Sequence, residues 1–164
     1  MDARFSEISL LIVDIDGTLT DGKIDWGGPT SGWTQRFSVR DGESIRRLAS
    51  KGLRVVPLSR NPSLCARVRM EGLGLSTEWI GVSDKEAAFA DLLARHQIAP
   101  EQICYVADGR EDAPILEKVG LPCAVADAHP QAKQAARYVT RARGGQHALE
   151  EIADLIMEAK RWAG

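Results

Sequence analysis

Two aspartates separated by one residue are the groups in this sequence best suited to catalysis. Asp14 and Asp16 directly follow the apolar run Leu10–Val13, and Gly17 comes next. Four consecutive apolar residues are typical of a strand buried on both faces of a parallel sheet, and the carboxyl ends of such strands bind ligands. Two carboxylates there are unfavourable unless a cation or protons stabilise them. An acidic turn would explain a bare Asp-x-Asp pair, but the Gly-Thr continuation favours a chemical role.

A serine ends a second apolar segment. Residues 53–58 are predicted to form a buried strand that Ser59 terminates. Asn61 and Pro62 are interpreted as the N-cap and first residue of the following helix. A serine at this place is commonly a helix cap, but a hydroxyl between a strand end and a helix N-terminus is also well placed to hold a phosphoryl oxygen. Both roles are therefore open for Ser59.

The position of Lys85 is unusual for a lysine. It follows Asp84, which is the predicted N-cap of a helix over residues 85–96. Because the dipole at a helix N-terminus disfavours a cation, nearby anions would explain a lysine here. Exposure to solvent is the alternative explanation.

Two more aspartates follow a third apolar strand, predicted over residues 103–107. Asp108 ends this strand, and Asp112 stands four residues further on, at the start of a short helix. Carboxylates at two strand ends, here Asp14 and Asp108, can converge on one hard cation with oxygen ligands, for which Mg²⁺ is the best fit. The sequence therefore predicts a magnesium site.

The elements that must position these residues alternate between strand and helix. This order predicts an α/β fold with a doubly wound, mostly parallel sheet, and the polar residues above then lie at one end of it. Asp41 is the predicted N-cap of a helix that ends at Gly52. In the helix after Ser59, which is predicted to extend to about Glu71, the residues expected to face the core are Leu64, Ala66 or Arg67, Val68 and Leu73. The remaining predictions are strands over residues 78–81, 123–126 and 138–140 and a closing amphipathic helix over residues 149–162.

A β-hairpin is predicted over residues 23–37, with Trp26 and Trp33 on either side of a six-residue loop. It is either an arm that packs on a neighbouring subunit or a surface flap whose tryptophans fold back on their own domain. The arm is favoured because a lone hairpin is marginally stable in water.

Composition narrows the possible classes of protein. The chain has 164 residues, enough for one domain with a proper core, and its 21 basic and 23 acidic residues nearly cancel. Neither nucleic acid nor an anionic membrane is an expected partner. The amino end lacks the pattern of a signal peptide, and the odd, scattered cysteines favour reduced thiols in a cytoplasmic protein. None of the three histidines is interpreted as a metal ligand. The cysteines are Cys65, Cys104 and Cys123.

The stretch LLIVDIDGTLTDG resembles motif I of the haloacid dehalogenase superfamily of phosphotransferases. The segments FSVRDGESI and VGLPCAVADAHPQAKQAARYVT resemble the capless 3-deoxy-D-manno-octulosonate 8-phosphate phosphatases, and the likeness extends over residues 10–156. It implies a Rossmann-like haloacid dehalogenase fold without a large cap domain, with residues 1–164 forming a single domain. It also implies a homotetramer built by the hairpin, which would shape the active-site entrance of adjacent subunits.

The resemblance implies Mg²⁺-dependent hydrolysis of a small phosphate monoester through an aspartyl-phosphate, with a phosphorylated 3-deoxy sugar acid such as 3-deoxy-D-manno-octulosonate 8-phosphate as the expected substrate. Asp14 would attack phosphorus, and Asp16 would act as general acid and then as general base. Ser59 and Lys85, which match motifs II and III, would hold the transferring oxygens.

Motif IV of the family is matched by Asp108 and Asp112. The resemblance implies that Mg²⁺ is bound by Asp14, the backbone carbonyl of Asp16, and Asp108. Asp112 would orient the water molecules of the metal ion.

Two departures from the family pattern leave the substrate open. Members commonly have Thr-Gly-Arg where this chain has Ser59-Arg60-Asn61, and Gly-Asp-Asp where it has Ala107-Asp108-Gly109. The first departure removes a cation that could contact a sugar acid, which Arg60 could replace. A nine-carbon sugar-acid 9-phosphate is therefore an alternative substrate. The expected substrate-binding residues are Arg40, which could also be an ordinary surface cation, Arg60 and Asn61.

Two rival functions share many of these features. A receiver domain also combines an acidic Mg²⁺ site with a hydroxyl and a lysine, but its phosphorylated aspartate stands alone at a mid-chain strand end. A catalytically weak scaffold that kept the fold is the other alternative, since Gly109 removes a negative charge near the metal.

Overall fold

The computed structural model describes residues 3–162. Within this range, five strands form one parallel sheet in the order β4-β1-β5-β6-β7, and β2 and β3 pair as a separate antiparallel hairpin. The predicted parallel α/β sheet is therefore confirmed. The strands in chain order are β1 (Leu10–Val13), β2 (Asp25–Trp26), β3 (Trp33–Thr34), β4 (Arg54–Pro57), β5 (Ile103–Ala107), β6 (Leu121–Ala124) and β7 (Tyr138–Val139).

Helices cover both faces of the sheet. They are α1 (Val39–Ser50), α2 (Leu64–Gly72), α3 (Lys85–His96), α4 (Ala113–Leu116), α5 (Pro130–Ala135) and α6 (Ala148–Ala159). Helix α1 packs against α6, whereas α4 packs against α3 and α5. The crossovers from β1 to β4 and from β4 to β5 run in opposite directions along the sheet, and right-handed crossovers then place their helices on opposite faces. This is the predicted doubly wound arrangement.

From β1 the chain crosses to β4 on one side of β1, and from β4 it crosses back to β5 on the other side. Strands β1 and β5 therefore lie next to each other at the point where the order of the strands reverses. Val13 pairs with Val106, and the Asp14 N–H donates to the Val106 carbonyl at 3.0 Å. The register therefore brings Asp14, which follows β1, beside Asp108, which follows β5. A crevice at this reversal point is where open α/β sheets bind ligands.

The helix after β4 begins later than predicted. Ser63, not Asn61, is the N-cap of α2, and its hydroxyl accepts from the Ala66 N–H at 3.3 Å. The side-chain oxygen of Asn61 accepts from the Ser63 N–H at 3.1 Å. This local turn competes with the helix and delays its start.

The buried residues of helix α2 agree only in part with those predicted. Ala66 and Leu73 are buried as expected, and Met70 is buried too, whereas Leu64 and Val68 are exposed, so the prediction is wrong for these two. Ala66 and Met70 are spaced by four residues, as are Leu64 and Val68, and the two pairs lie on opposite sides of the helix. Because both sides carry apolar residues, periodicity alone could not identify the core face.

Other predicted boundaries are corrected. Helix α1 begins at Val39, and its N-cap is Ser38, whose hydroxyl accepts from the Asp41 N–H at 3.2 Å; Asp41 is therefore not the cap of its own helix. The strand predicted over residues 78–81 is reduced to one bridge between Ser59 and Ile80, because residues 78 and 79 form a turn. The remaining differences are small: β6 begins at Leu121 and α6 ends at Ala159.

The predicted hairpin is present as β2 and β3, with the six-residue loop between them. Trp26 and Trp33 contact each other edge to face at 5.2 Å between ring centroids. Their exposed fractions are 58% and 59%, so more than half of each residue remains open to solvent. Within residues 3–162, every helix is too short or too polar to span a bilayer.

Candidate active site

Three carboxylates meet at the carboxyl end of the sheet. Asp14 follows β1, Asp108 follows β5, and Asp112 closes a 3₁₀ turn before α4; an oxygen of each lies within 4.8 Å of the others. Asp14 and Asp112 are buried, and Asp108 is half-buried. Hard divalent cations prefer such a set of carboxylate oxygens. The structure thus brings together the three carboxylates that the sequence assigned to a metal.

Lys85 joins two of these carboxylates. Its Nζ lies 2.8 Å from Asp14 Oδ1 and 2.7 Å from Asp112 Oδ1, and its side chain is 5% exposed. The helix start is held separately by Asp84, which accepts from the N–H groups of Glu86 and Ala87 as predicted. Burial by itself lowers the pKa of Lys85, but the two carboxylates outweigh this effect and raise the pKa above its ordinary value. Lys85 is therefore held by anions and not by solvent.

Asp112 is also anchored by uncharged donors. The hydroxyl of Tyr105, on the buried strand β5, donates to Asp112 Oδ1 at 2.6 Å, and the Gly109 N–H donates to Oδ2 at 3.0 Å. Burial raises the pKa of the Tyr105 hydroxyl well above its ordinary value, and the nearby carboxylates raise it further. Tyr105 therefore remains a hydrogen-bond donor.

The charges of this cluster favour a divalent cation. Three ionised carboxylates and one lysine leave two negative charges without a partner among these groups. Burial raises the pKa of Asp14 well above its ordinary value; Lys85 opposes this, and the charges of Asp112 and Asp108 add to it. Burial likewise raises the pKa of Asp108. Mg²⁺ matches both the missing charge and the oxygen donors.

Asp16 faces the same space and accepts from three side chains. Ser59 Oγ donates to its Oδ2 at 3.1 Å, while Asn61 Nδ2 at 3.0 Å and Gln35 Nε2 at 2.5 Å donate to its Oδ1. Ser59 and Asn61 reach it from the turn after β4, and Gln35 follows β3. Both carboxylate oxygens are thus fixed by neutral donors, and Asp16 is separated from the direct contacts of Lys85.

Gly17 allows the chain turn that separates the contacts of the Asp16 carboxylate from those of the acidic cluster. Its φ is +83°, a conformation that favours glycine. A Cβ at this position would lie 2.2 Å from Asp108 Oδ2. Thr18, the next residue, donates its hydroxyl to Asp108 Oδ1 at 3.3 Å. Close approach to a carboxylate and positive φ both require glycine here.

A polar cavity of about 220 Å³ opens above these groups. Arg60 lines it and forms no ion pair with any residue that the structure describes. Arg40 does not line it, because its guanidinium pairs with Glu150 of α6 at 2.8 Å. Of the two predicted substrate cations, only Arg60 thus lies at the cavity of its own chain. The lining residues are Asp14, Asp16, Ser59, Arg60, Asn61, Lys85, Asp108, Gly109 and Glu111.

Comparison with known proteins identifies the family. Residues 79–144 match the haloacid dehalogenase-like hydrolase family. The 3-deoxy-D-manno-octulosonate 8-phosphate phosphatase of Escherichia coli is 41% identical over 158 residues, which are 96% of this chain and 84% of the relative. The chain belongs to this phosphatase family. Membership confirms the resemblance drawn from the sequence and excludes the receiver-domain alternative.

Solved structures of 3-deoxy-D-manno-octulosonate 8-phosphate phosphatases share the fold. The enzyme from Yersinia pestis aligns with a TM-score of 0.92 at 39% identity, over 98% of this chain and 88% of that chain. The enzyme from Moraxella catarrhalis, in complex with magnesium, phosphate and KDO, aligns with a TM-score of 0.89 at 26% identity, over 96% of this chain and 90% of that chain. The haloacid dehalogenase-like fold and the phosphatase class of this chain are thereby established.

The sequence interpretation missed two residues that support this phosphatase site. Tyr105 carries the one hydroxyl within the predicted strand over residues 103–107, and a buried tyrosine hydroxyl usually has a hydrogen-bond partner. That signal could have found it. Gln35 lies between the hairpin and α1, where no local pattern distinguishes it from a surface residue.

Proposed function

We propose that this protein hydrolyses 3-deoxy-D-manno-octulosonate 8-phosphate in a Mg²⁺-dependent reaction through an aspartyl-phosphate. The observation that carries the mechanism is the separation of two neighbouring carboxylates: Asp14 contacts Lys85 and the acidic cluster, whereas Asp16 contacts neutral donors. Two carboxylates in different environments can take different roles in one reaction. The substrate is supported by the Escherichia coli relative and by the Moraxella catarrhalis complex with KDO.

In the first step, the carboxylate of Asp14 attacks phosphorus. The new oxygen–phosphorus bond forms as the bond to the sugar oxygen breaks, and Asp16 gives its proton to that oxygen. In the second step, water attacks the phosphorus of the aspartyl-phosphate and loses a proton to Asp16. Phosphate leaves, and both aspartates return to their starting states.

The remaining residues bind the phosphoryl group and the metal ion and stabilise the developing negative charge. Lys85 donates to a phosphoryl oxygen where negative charge accumulates, and the one Ser59 hydroxyl proton, which lies on Asp16 in the free protein, turns to another phosphoryl oxygen when the substrate is bound. The residues proposed to hold Mg²⁺ are Asp14, the backbone carbonyl of Asp16, and Asp108, with Asp112 beside them; the bound ion screens the repulsion between nucleophile and phosphate.

Arg60 is the cation that we propose for the carboxylate of the sugar acid. Arg60 lines the cavity, and its guanidinium pairs with no acidic side chain within residues 3–162, which supports this role; Asn61 adds an amide on the same turn. The pairing of Arg40 with Glu150 supports a structural role for Arg40 within its own chain. A nine-carbon sugar-acid 9-phosphate has the same carboxylate and phosphate, so it remains the alternative substrate.

The test is phosphate release from a panel of phosphorylated metabolites, with and without Mg²⁺. We expect sugar-acid phosphates to be preferred and Asp14→Asn to abolish turnover. If glucose 6-phosphate or a nucleotide exceeds every sugar acid by tenfold in kcat/KM, about 1.4 kcal/mol of transition-state preference, the substrate proposal fails. If wild type releases no phosphate from any ester, including p-nitrophenyl phosphate, the weak-scaffold alternative is correct.

A further inference from the structure

Gln35 links the hairpin to the proposed acid and base. It directly follows β3, and its amide lies between two side chains of other elements. Its Nε2 donates to Asp16 Oδ1, and its Oε1 accepts from Ser63 Oγ at 2.8 Å. Ser63 also caps α2, so Gln35 bridges the loop after β1 and the start of that helix.

The orientation of the Gln35 amide follows from its partners. Asp16 Oδ1 can only accept hydrogen bonds, both when the carboxylate is ionised and when its proton is on Oδ2, so the NH₂ group of Gln35 must face Asp16. The hydroxyl of Ser63 can donate, so it is compatible with the amide oxygen at the other end. A single orientation therefore satisfies both contacts, and Ser63 holds the glutamine in the position from which it donates to Asp16.

The other contacts of Asp16 make the hydrogen bond from Gln35 important. Asn61 and Gln35 approach the same oxygen from two different elements, while Ser59 holds the other oxygen. Asn61 and Ser59 both lie on the turn after β4, so Gln35 is the one contact among these three that restrains Asp16 from the hairpin side. Its loss would let the carboxylate rotate towards that turn.

We propose that Gln35 is a positioning residue that holds the Asp16 carboxylate in the orientation for proton transfer to the leaving oxygen. The proposal rests on the general-acid role of Asp16 in the proposed function. Proton transfer depends strongly on such orientation, and a positioned acid contributes about 10²- to 10⁴-fold to rate. Gln35 touches neither the acidic cluster nor Lys85 in the described contacts, so formation of the oxygen–phosphorus bond should depend on it much less.

Phenyl phosphate and p-nitrophenyl phosphate together can isolate the effect of Gln35 on general-acid catalysis by Asp16. Phenolate is a poorer leaving group than p-nitrophenolate and needs more help from an acid, although the two substrates have nearly the same shape. The appropriate constant is kcat/KM, since it reports the steps up to the aspartyl-phosphate and excludes the later hydrolysis. We expect Gln35→Met to lower kcat/KM by about 30-fold for phenyl phosphate and by about threefold or less for p-nitrophenyl phosphate.

A matched control is available on the same stem. Arg36 is the next residue, its side chain is 81% exposed, and it pairs with Asp25 of the hairpin at 3.5 Å. Arg36→Met should change neither constant. Both variants should keep the wild-type melting temperature and the wild-type Mg²⁺ affinity by calorimetry, which would show that the site is still formed.

The outcomes separate the possible roles of Gln35. Equal losses for the two aryl phosphates would overturn the proposal and assign Gln35 a purely structural role. A loss confined to the sugar-acid phosphate would also overturn it, because Gln35 would then contact the sugar. Failure of the proposed function itself would appear differently, as wild-type enzyme without Mg²⁺-dependent turnover or as an active Asp14→Asn variant.

Discussion

The protein does not neutralise the three carboxylates of the acidic cluster, Asp14, Asp108 and Asp112, to the same extent. Lys85 bridges Asp14 and Asp112, and Tyr105 donates to the Asp112 oxygen that Lys85 also contacts. Asp108 accepts a longer bond, 3.3 Å, from the hydroxyl of Thr18. Asp108 is therefore the carboxylate with the most to gain from a bound cation.

We expect Asp108→Asn to stabilise the metal-free protein at neutral pH. Burial raises the pKa of Asp108 above its ordinary value, so the folded state penalises the ionised form. This penalty is absent below the unfolded pKa of about 4 and grows as pH rises through the folded pKa. An amide carries no such penalty. The measurement is the melting temperature in EDTA at neutral pH.

When Mg²⁺ is present, wild type should be more stable than Asp108→Asn. Because the ion needs ionised carboxylates, its stabilisation of wild type should be larger at neutral pH than at about pH 5. At a concentration one hundred times its Kd, the ion adds about 2.7 kcal/mol to the free energy of unfolding. Asp108→Asn should lose most of this gain, and Asp91→Asn, an exposed change on α3, should keep it. An equal gain in both variants would contradict the role of Asp108.

Helices α1 and α6 are joined at their first turns. The Glu150 N–H donates to Asp41 Oδ1 at 3.0 Å, Arg40 pairs with Glu150 at 2.8 Å, and Ser38 Oγ lies 3.1 Å from His147 Nδ1. Asp41 is buried in α1 and yet satisfies a free N–H at the start of α6. One residue thus connects the helix that follows the hairpin to the last helix of the described chain.

We expect Asp41→Ala to lower the free energy of unfolding by about 1–2 kcal/mol, as for the loss of a helix cap. Asp41→Asn keeps an acceptor oxygen and should lose less. Glu43→Ala changes an exposed residue of the same helix and serves as the control. Urea denaturation of the three variants measures the differences. A larger loss for Glu43→Ala than for Asp41→Ala would contradict the capping role.

The hairpin and α2 present one apolar surface. Trp33 and Leu64 line a groove together, Val68 extends it along α2, and Ile24 and Trp26 continue it on the hairpin. All five side chains are more than half exposed. Large contiguous apolar surfaces mark interaction sites, and the groove adjoins Gln35 and Asn61, which contact Asp16. A neighbouring subunit seated here would border the proposed site.

We therefore propose a homotetramer in which the hairpin packs on a neighbouring subunit. Burying both tryptophans supplies much of the apolar area of such an interface. Light scattering at micromolar concentration should give a tetramer for wild type and a smaller species for Trp26→Ala combined with Trp33→Ala. Val139→Ala, an exposed apolar residue at the edge strand β7, should leave assembly unchanged. A monomeric wild type would refute the proposal.

Elements with strong local signals were predicted closely. The bounds of β1, β5 and α3 agree with the sequence interpretation because apolar runs and the Asp84 cap are signals within a few residues. The sequence also predicted that Asp14 and Asp108 lie close together, since parallel strands place their carboxyl ends at one edge of the sheet. By contrast, the start of α2 depended on a side-chain turn, and its buried face depended on which neighbours it met.

The sequence by itself determined the fold, the acidic motif and the phosphatase family, because these depend on residue types at short spacing. Only the tertiary structure decided which partners complete the site. The bonds of Asp16 to Gln35, of Asp112 to Lys85, and of Asp41 to α6 join positions 19, 27 and 109 residues apart. A hydrogen bond requires its two groups within about 3 Å of each other, and only the folded chain brings such distant positions that close.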